Sequence, residues 1–306
     1  MPWLLVRIRP GVFLMLSSIE RLIETLEASI PPKKIWQKPF DGNSAHYKRL
    51  CSLNGADPDG MDLVDYAHDM LYEGTPLQTD LLRFLLPICL KAWKNDLFSK
   101  QPSQYGGFVE YFSAALARRT DFVEILGPKG YRGITDFMRD SILDRINQER
   151  ELHFEGANSS PYQWFYALGS FAVIFADLEQ LWTQWWQMKT PGHAVAALQY
   201  MSCLIYKDSE NPIFSPWRGD IGGGAPALNE TDGFIYDRGW HPQNLAFIES
   251  TLSVDYIHGH LVKATELLQN KSASHIPKLM LDDFASHSYF LESLILELPV
   301  LLSMPA

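Results

Sequence analysis

Apolar residues recur along this chain at a helical period of about 3.6, and no convincing apolar/polar alternation marks a strand. A chain patterned this way can bury its apolar stripes only by packing helix on helix. The expectation is therefore an all-α fold, a multi-helix bundle of about ten helices. The period predicts helices over 18–29, 43–53, 59–73, 79–97, 107–119, 134–152, 160–188, 192–206, 242–269 and 281–302. Pro31-Pro32 and Gly74-Thr75-Pro76 fall where helices must stop, and Ser160-Pro161 reads as a cap with proline in the first turn. Pro87 lies inside an apolar run and predicts a kink or a break. No internal repeat of 20–50 residues occurs, which argues against a regular solenoid.

The chain has 306 residues, 46% hydrophobic and 20% charged, a balance that excludes general disorder. The reading is a single helical domain over 17–306, preceded by residues 1–16 as an N-terminal extension or docking segment. In that segment Arg7 and Arg9 precede the apolar run Gly11-Val12-Phe13-Leu14-Met15-Leu16, which is shorter than a secretory core and lacks a small-residue cleavage pattern. The uncharged stretch 156–176 is strongly apolar only in its second half and reads as a buried central helix, not a membrane span.

Aromatic content is high, with 9 Trp, 13 Tyr and 17 Phe. Trp182, Trp185 and Trp186 follow the i,i+3,i+4 spacing of a packed helix face. The rival reading is an aromatic interface, such as one against a second copy in a helical oligomeric scaffold. Residues 207–241 break the helical period and hold six glycines, three prolines and five aromatics (Phe214, Trp217, Phe234, Tyr236 and Trp240). A segment so long and so aromatic is expected to be an ordered loop over the helical body.

Lys and Arg number 26 against 36 Asp and Glu, a formal charge of −10. This argues against a nonspecific nucleic-acid binder and against docking on an anionic membrane. It favours a basic protein partner, or one with a basic cleft. Cys51, Cys89 and Cys203 lie far apart in apolar settings and read as buried reduced thiols, which places the protein in a cytoplasm. On the helix expected over 59–73, Asp62, Asp65, Asp69 and Glu73 share an arc of about 80° opposite the apolar side. Like charges at i,i+4 weaken a helix by roughly 0.2–0.5 kcal/mol per pair. The arc is either a solvated face or a surface that steers a basic partner, with Trp217, Arg218 and Trp240 of the loop as anchors.

His68-Asp69, with His46 upstream and Asp136 or Asp140 downstream, resembles the metal-ligand set of the all-helical HD-domain phosphohydrolases. The resemblance implies a divalent metal on His46, His68 and Asp69, and phosphohydrolase activity. Asp255, His258 and His260 form a second polar group, but His258 and His260 point about 200° apart on a helix, too far for one ion. Gly222-Gly223-Gly224 lacks the Lys-Ser/Thr of a phosphate loop, and no nucleophile motif occurs. The stretch Leu63-Val64-Asp65-Tyr66-Ala67-His68-Asp69 with Thr79-Asp80-Leu81-Leu82-Arg83-Phe84-Leu85-Leu86-Pro87 is similar to uncharacterised bacterial all-helical proteins. The resemblance implies a helical bacterial cytosolic protein and assigns no activity.

These features lead first to a non-catalytic, inhibitor- or immunity-type protein that neutralises a toxin-like partner, with no cofactor, no resident metal and no catalytic residue. An HD-like phosphohydrolase and an oligomeric scaffold are the alternatives.

Overall fold

The computed structural model describes residues 32–36, 45, 64–67, 77–99, 108–119, 122–152, 160–206, 211, 213, 239–269 and 275–303. Among them no strand occurs, and the fold is an all-α multi-helix bundle. The helices with defined ends are α1 (Thr79–Leu97), α2 (Phe108–Arg118), α3 (Phe122–Ile146), α4 (Ser160–Ile174), α5 (Leu178–Trp186), α6 (Pro191–Ile205), α7 (Pro242–Thr251), α8 (Val254–Leu268) and α9 (His275–Ser303).

The first layer is α1 against α2 and α3, with α4 packed on all three. α1 runs unbroken across Pro87, so the expected interruption of the helix does not take the form of a break. Leu82, Leu85, Leu86, Cys89, Leu90 and Trp93 are all fully buried around that proline. Their packing outweighs the lost backbone hydrogen bond and the ring's clash with the preceding turn, which together cost about 3 kcal/mol in a helix interior. The Asp96 carboxylate accepts the Val109 N–H at 2.9 Å and joins the end of α1 to the start of α2. Burial pushes the Asp96 pKa up, and the backbone hydrogen bonds from Val109 and Phe108 pull against that shift.

α3 starts at Phe122, twelve residues before its expected start at Ile134. Gly127-Pro128-Lys129-Gly130 looks like a breaker in the sequence, and it does kink the helix, with Gly127 at φ +67°. That left-handed conformation favours glycine. Pro128 then occupies the first position of the continuing helix, where no N–H is needed.

α4, α5 and α6 carry the aromatic core. Trp182, Trp185 and Trp186 are at most 2% exposed. The Trp182 ring lies edge-on to Tyr200 at 5.3 Å and stacked on Trp186 at 4.8 Å. Trp164 meets Trp185 edge-on at 5.4 Å. The packed-face reading holds, and these rings present no exposed interface in this chain.

The single helix expected over 160–188 is instead two, broken at Phe175-Ala176-Asp177. The reason is tertiary. Asn244 of α7, 1% exposed, donates through Nδ2 to the carbonyls of Ala172 (2.8 Å) and Phe175 (2.6 Å). Its Oδ1 accepts the Leu178 N–H at 3.2 Å. The Tyr131 hydroxyl donates to the Ile174 carbonyl, and the His241 N–H to that of Ala172. Carbonyls and N–H groups that a helix break would orphan are thus satisfied by residues far away in sequence.

A second helix, expected over 242–269, also divides. Leu252 ends α7, and the Ser253 hydroxyl caps α8 by accepting the Tyr256 N–H at 3.0 Å. α9 begins at His275, earlier than the expected 281, because Pro277 falls in a first turn whose N–H groups need no helical partner. α9 closes the bundle against α6, α7 and α8.

Cys89 and Cys203 are free and buried, as expected of reduced thiols, and burial pushes the Cys89 thiol pKa up. Cys51 lies outside the described residues. No described helix is long and apolar enough to cross a membrane.

Candidate interaction surface

Charge is distributed unevenly over this bundle. α1, α2 and α3 carry eight Lys and Arg against seven Asp and Glu, a net +1. In α7, α8 and α9 the carboxylates Glu249, Asp255, Glu266, Asp282, Asp283, Glu292 and Glu297 face only Lys263 and Lys278, a net −5. Among the described helices acidity therefore concentrates on α7, α8 and α9, which the sequence reading did not anticipate.

α9 is the element that displays it. Its buried side holds Met280, Phe284, Leu291, Leu294, Leu298 and Leu302. The Tyr206 hydroxyl, at the end of α6, donates to Asp283 Oδ2 at 3.1 Å and fixes the rotation of α9. Burial and then the neighbouring carboxylate push the Tyr206 pKa up. At the C-terminal end the Trp240 N–H donates to the Leu302 carbonyl at 2.8 Å. Gly239 makes that approach possible, since a Cβ there would lie 2.4 Å from the Leu302 oxygen.

With this side buried, the opposite side faces outward. Tyr289, Leu296 and Val300 are 83%, 74% and 55% exposed. At 3.6 residues per turn they lie within an arc of about 40°, over roughly 17 Å of helix. Glu292 flanks the stripe on one side and Glu297 on the other, and Ser293 donates to Glu297 at 3.3 Å. Single exposed apolar residues are ordinary, but three on one arc make a patch of the kind that marks an interaction surface. The sequence signal is the run Leu291-Glu292-Ser293-Leu294-Ile295-Leu296-Glu297-Leu298, which places Leu296 on the side of a helix opposite the one that Leu291, Leu294 and Leu298 share.

The expected partner-binding residues fall differently. Asp65 is partly exposed on the helical segment 64–67, beside the buried Tyr66 and Ala67. Asp62, Asp69, Glu73, Trp217 and Arg218 lie outside the described residues. Trp240 is not an exposed anchor. It is 5% exposed, held against the end of α9 by the backbone contact already described.

His46, His68 and Asp69 lie outside the described residues. Asp136 and Asp140 both pair with the 8%-exposed Arg139, at 2.9 and 3.1 Å. Arg139 also reaches Asp177 at 2.8 Å and Gln180 at 3.0 Å, which links α3 to α5. Those carboxylates serve an ion-pair network. Among the described residues no group of His, Cys, Asp and Glu is placed to hold a metal.

His258 and His260 do diverge. His258 lies against Phe284 at 4.9 Å, whereas His260 packs edge-on to Trp186 at 5.0 Å with Nδ1 2.8 Å from the Tyr256 carbonyl oxygen. Burial, opposed by that backbone contact and aided by Lys263, pulls the His260 pKa down. Compared with protein-family models, curated proteins and solved structures, the chain matches none of them.

Proposed function

We propose that this protein acts by binding another protein that carries a basic surface or cleft, with the outer face of α9 as part of the docking surface. The observation that carries this reading is the stripe Tyr289, Leu296 and Val300 set between Glu292 and Glu297 on one of the acidic helices α7, α8 and α9. Apolar area supplies affinity and flanking charge supplies encounter rate and selectivity, the usual division of labour at an interface. Steering by Asp62, Asp65, Asp69 and Glu73 would add to the same acidic field. An inhibitor or immunity-type role in a bacterial cytosol, neutralising a toxin-like partner, is the specific form this reading takes.

The test is position-dependent photo-crosslinking in the native host. A photoreactive residue in place of Leu296 should capture a discrete basic protein, and one in place of the exposed Arg132 on α3 should not. Equal capture at both positions, or none at Leu296, would refute the reading.

A further inference from the structure

Resting on that reading, we infer that the element received by the outer face of α9 is a basic amphipathic helix. The exposed residues of α9 form a convex ridge along a single helix, and a ridge of this kind is complemented by a second helix laid alongside it. Its apolar length, from Tyr289 to Val300, spans about three helical turns. An occupant therefore needs apolar residues at i, i+4, i+7 and i+11 to cover it.

Charge selects among possible occupants. Glu292 and Glu297 lie on opposite flanks of the stripe, and Asp282 continues the outer face toward the start of the helix. The last turn of α9 contains no basic residue, so the partial negative charge of the helix C-terminus there has no cation of its own helix beside it. Lysines or arginines on both edges of the incoming helix would meet these charges. A second copy of this chain fits less well. Face-to-face pairing of two α9 helices would bring two sets of Asp282, Glu292 and Glu297 together, with Lys278 as the only Lys or Arg on each helix.

The probe is a designed 18-residue helix-forming peptide, about five turns long, with leucines on one face, lysines on both flanks and a fluorescent label. Binding is read by anisotropy. The peptide should bind, and the affinity should fall at least tenfold for E292K/E297K and for L296S/V300S, and should fall with added salt. The reversal E249K/E266K, which changes charge equally but lies on α7 and α8, should leave binding within twofold. All these positions are exposed, so the thermal melt of each variant should match the parent and report intact folding.

Equal binding of a composition-matched peptide with scrambled order would overturn the inference. Loss on E249K/E266K as large as on E292K/E297K would overturn it as well. So would a concentration-dependent dimer in sedimentation that L296S disperses. If crosslinking at Leu296 captures a host protein while the peptide does not bind, this inference falls and the protein-binding reading stands. If the peptide binds as described and no host protein is captured, the functional reading falls instead.

Discussion

Asn244 holds the break between α4 and α5, and its replacement offers a direct measure of what that break costs. In Asn244→Ala the Ala172 carbonyl keeps the His241 N–H, at 2.9 Å. The Phe175 carbonyl and the Leu178 N–H lose the partner described above, and both residues are 0% exposed. A buried polar group left unpaired costs roughly 1–3 kcal/mol. Two of them, plus a small share for the weakened Ala172 site, give a loss of about 4 kcal/mol. Urea unfolding at neutral pH would show this as a lowered midpoint with an unchanged slope. Asn244→Asp separates donor from acceptor. The aspartate can still accept from Leu178, but its second oxygen is set against two carbonyls, so at neutral pH it should be no more stable than the alanine variant. Protonation restores one donor, so the deficit of Asn244→Asp relative to the parent should shrink as pH falls. A cost under about 1 kcal/mol for Asn244→Ala, or a pH-independent deficit for Asn244→Asp, would refute the account of the break.

Gly192→Ala should destabilise by about 3 kcal/mol, because its Cβ would lie 2.1 Å from the Asn147 backbone oxygen. Gly259→Ala, with nothing within 4 Å of the added carbon, should stabilise α8 by about 0.5–1 kcal/mol. Thermal melts should therefore move in opposite directions for the two. Arg139→Met should cost about 2 kcal/mol, less than a fully buried pair because its three carboxylates are a third to a half exposed. Added salt should narrow that deficit in urea unfolding by screening the carboxylates left behind. The depressed pKa of His260 means the unfolded chain takes up its proton first as pH drops. The stability this histidine contributes is complete above its unfolded value near 6.5 and declines as pH falls through the folded pKa. Asp96, with its raised pKa, has the opposite slope at lower pH. His260→Gln should flatten the fall in urea midpoint below pH 6.5, and an unchanged profile would count against this assignment.

Fold class was legible because it depends on period alone. The helix expected over 79–97 forms with those same ends as Thr79–Leu97, and Trp182, Trp185 and Trp186 are core residues at the spacing that suggested it. The misplaced boundaries share a cause. At 175–177 and 252–253 the local sequence continues a helical pattern, and the chain turns because Asn244 and Ser253 supply hydrogen bonds to the exposed ends. At Gly127-Pro128 the local stop does interrupt the helical backbone, and helix resumes at once because a first-turn proline gives up no helical bond, as Pro277 also does in the first turn of α9. The candidate surface was legible only in part. Composition showed acidity but not its concentration on α7, α8 and α9. Trp240 looked like an anchor until the backbone contact with Leu302 placed it inside.

The sequence by itself determined that this protein is built from helices, that its aromatic residues can fill a large core and that its net charge is −10. These follow from periodicity and composition, which act locally or add up over the whole chain. Tertiary structure alone decided which side of α9 is buried. Leu291, Leu294 and Leu298 are no more apolar than Leu296, and only packing against α6, α7 and α8 turns them inward and leaves Leu296 facing out.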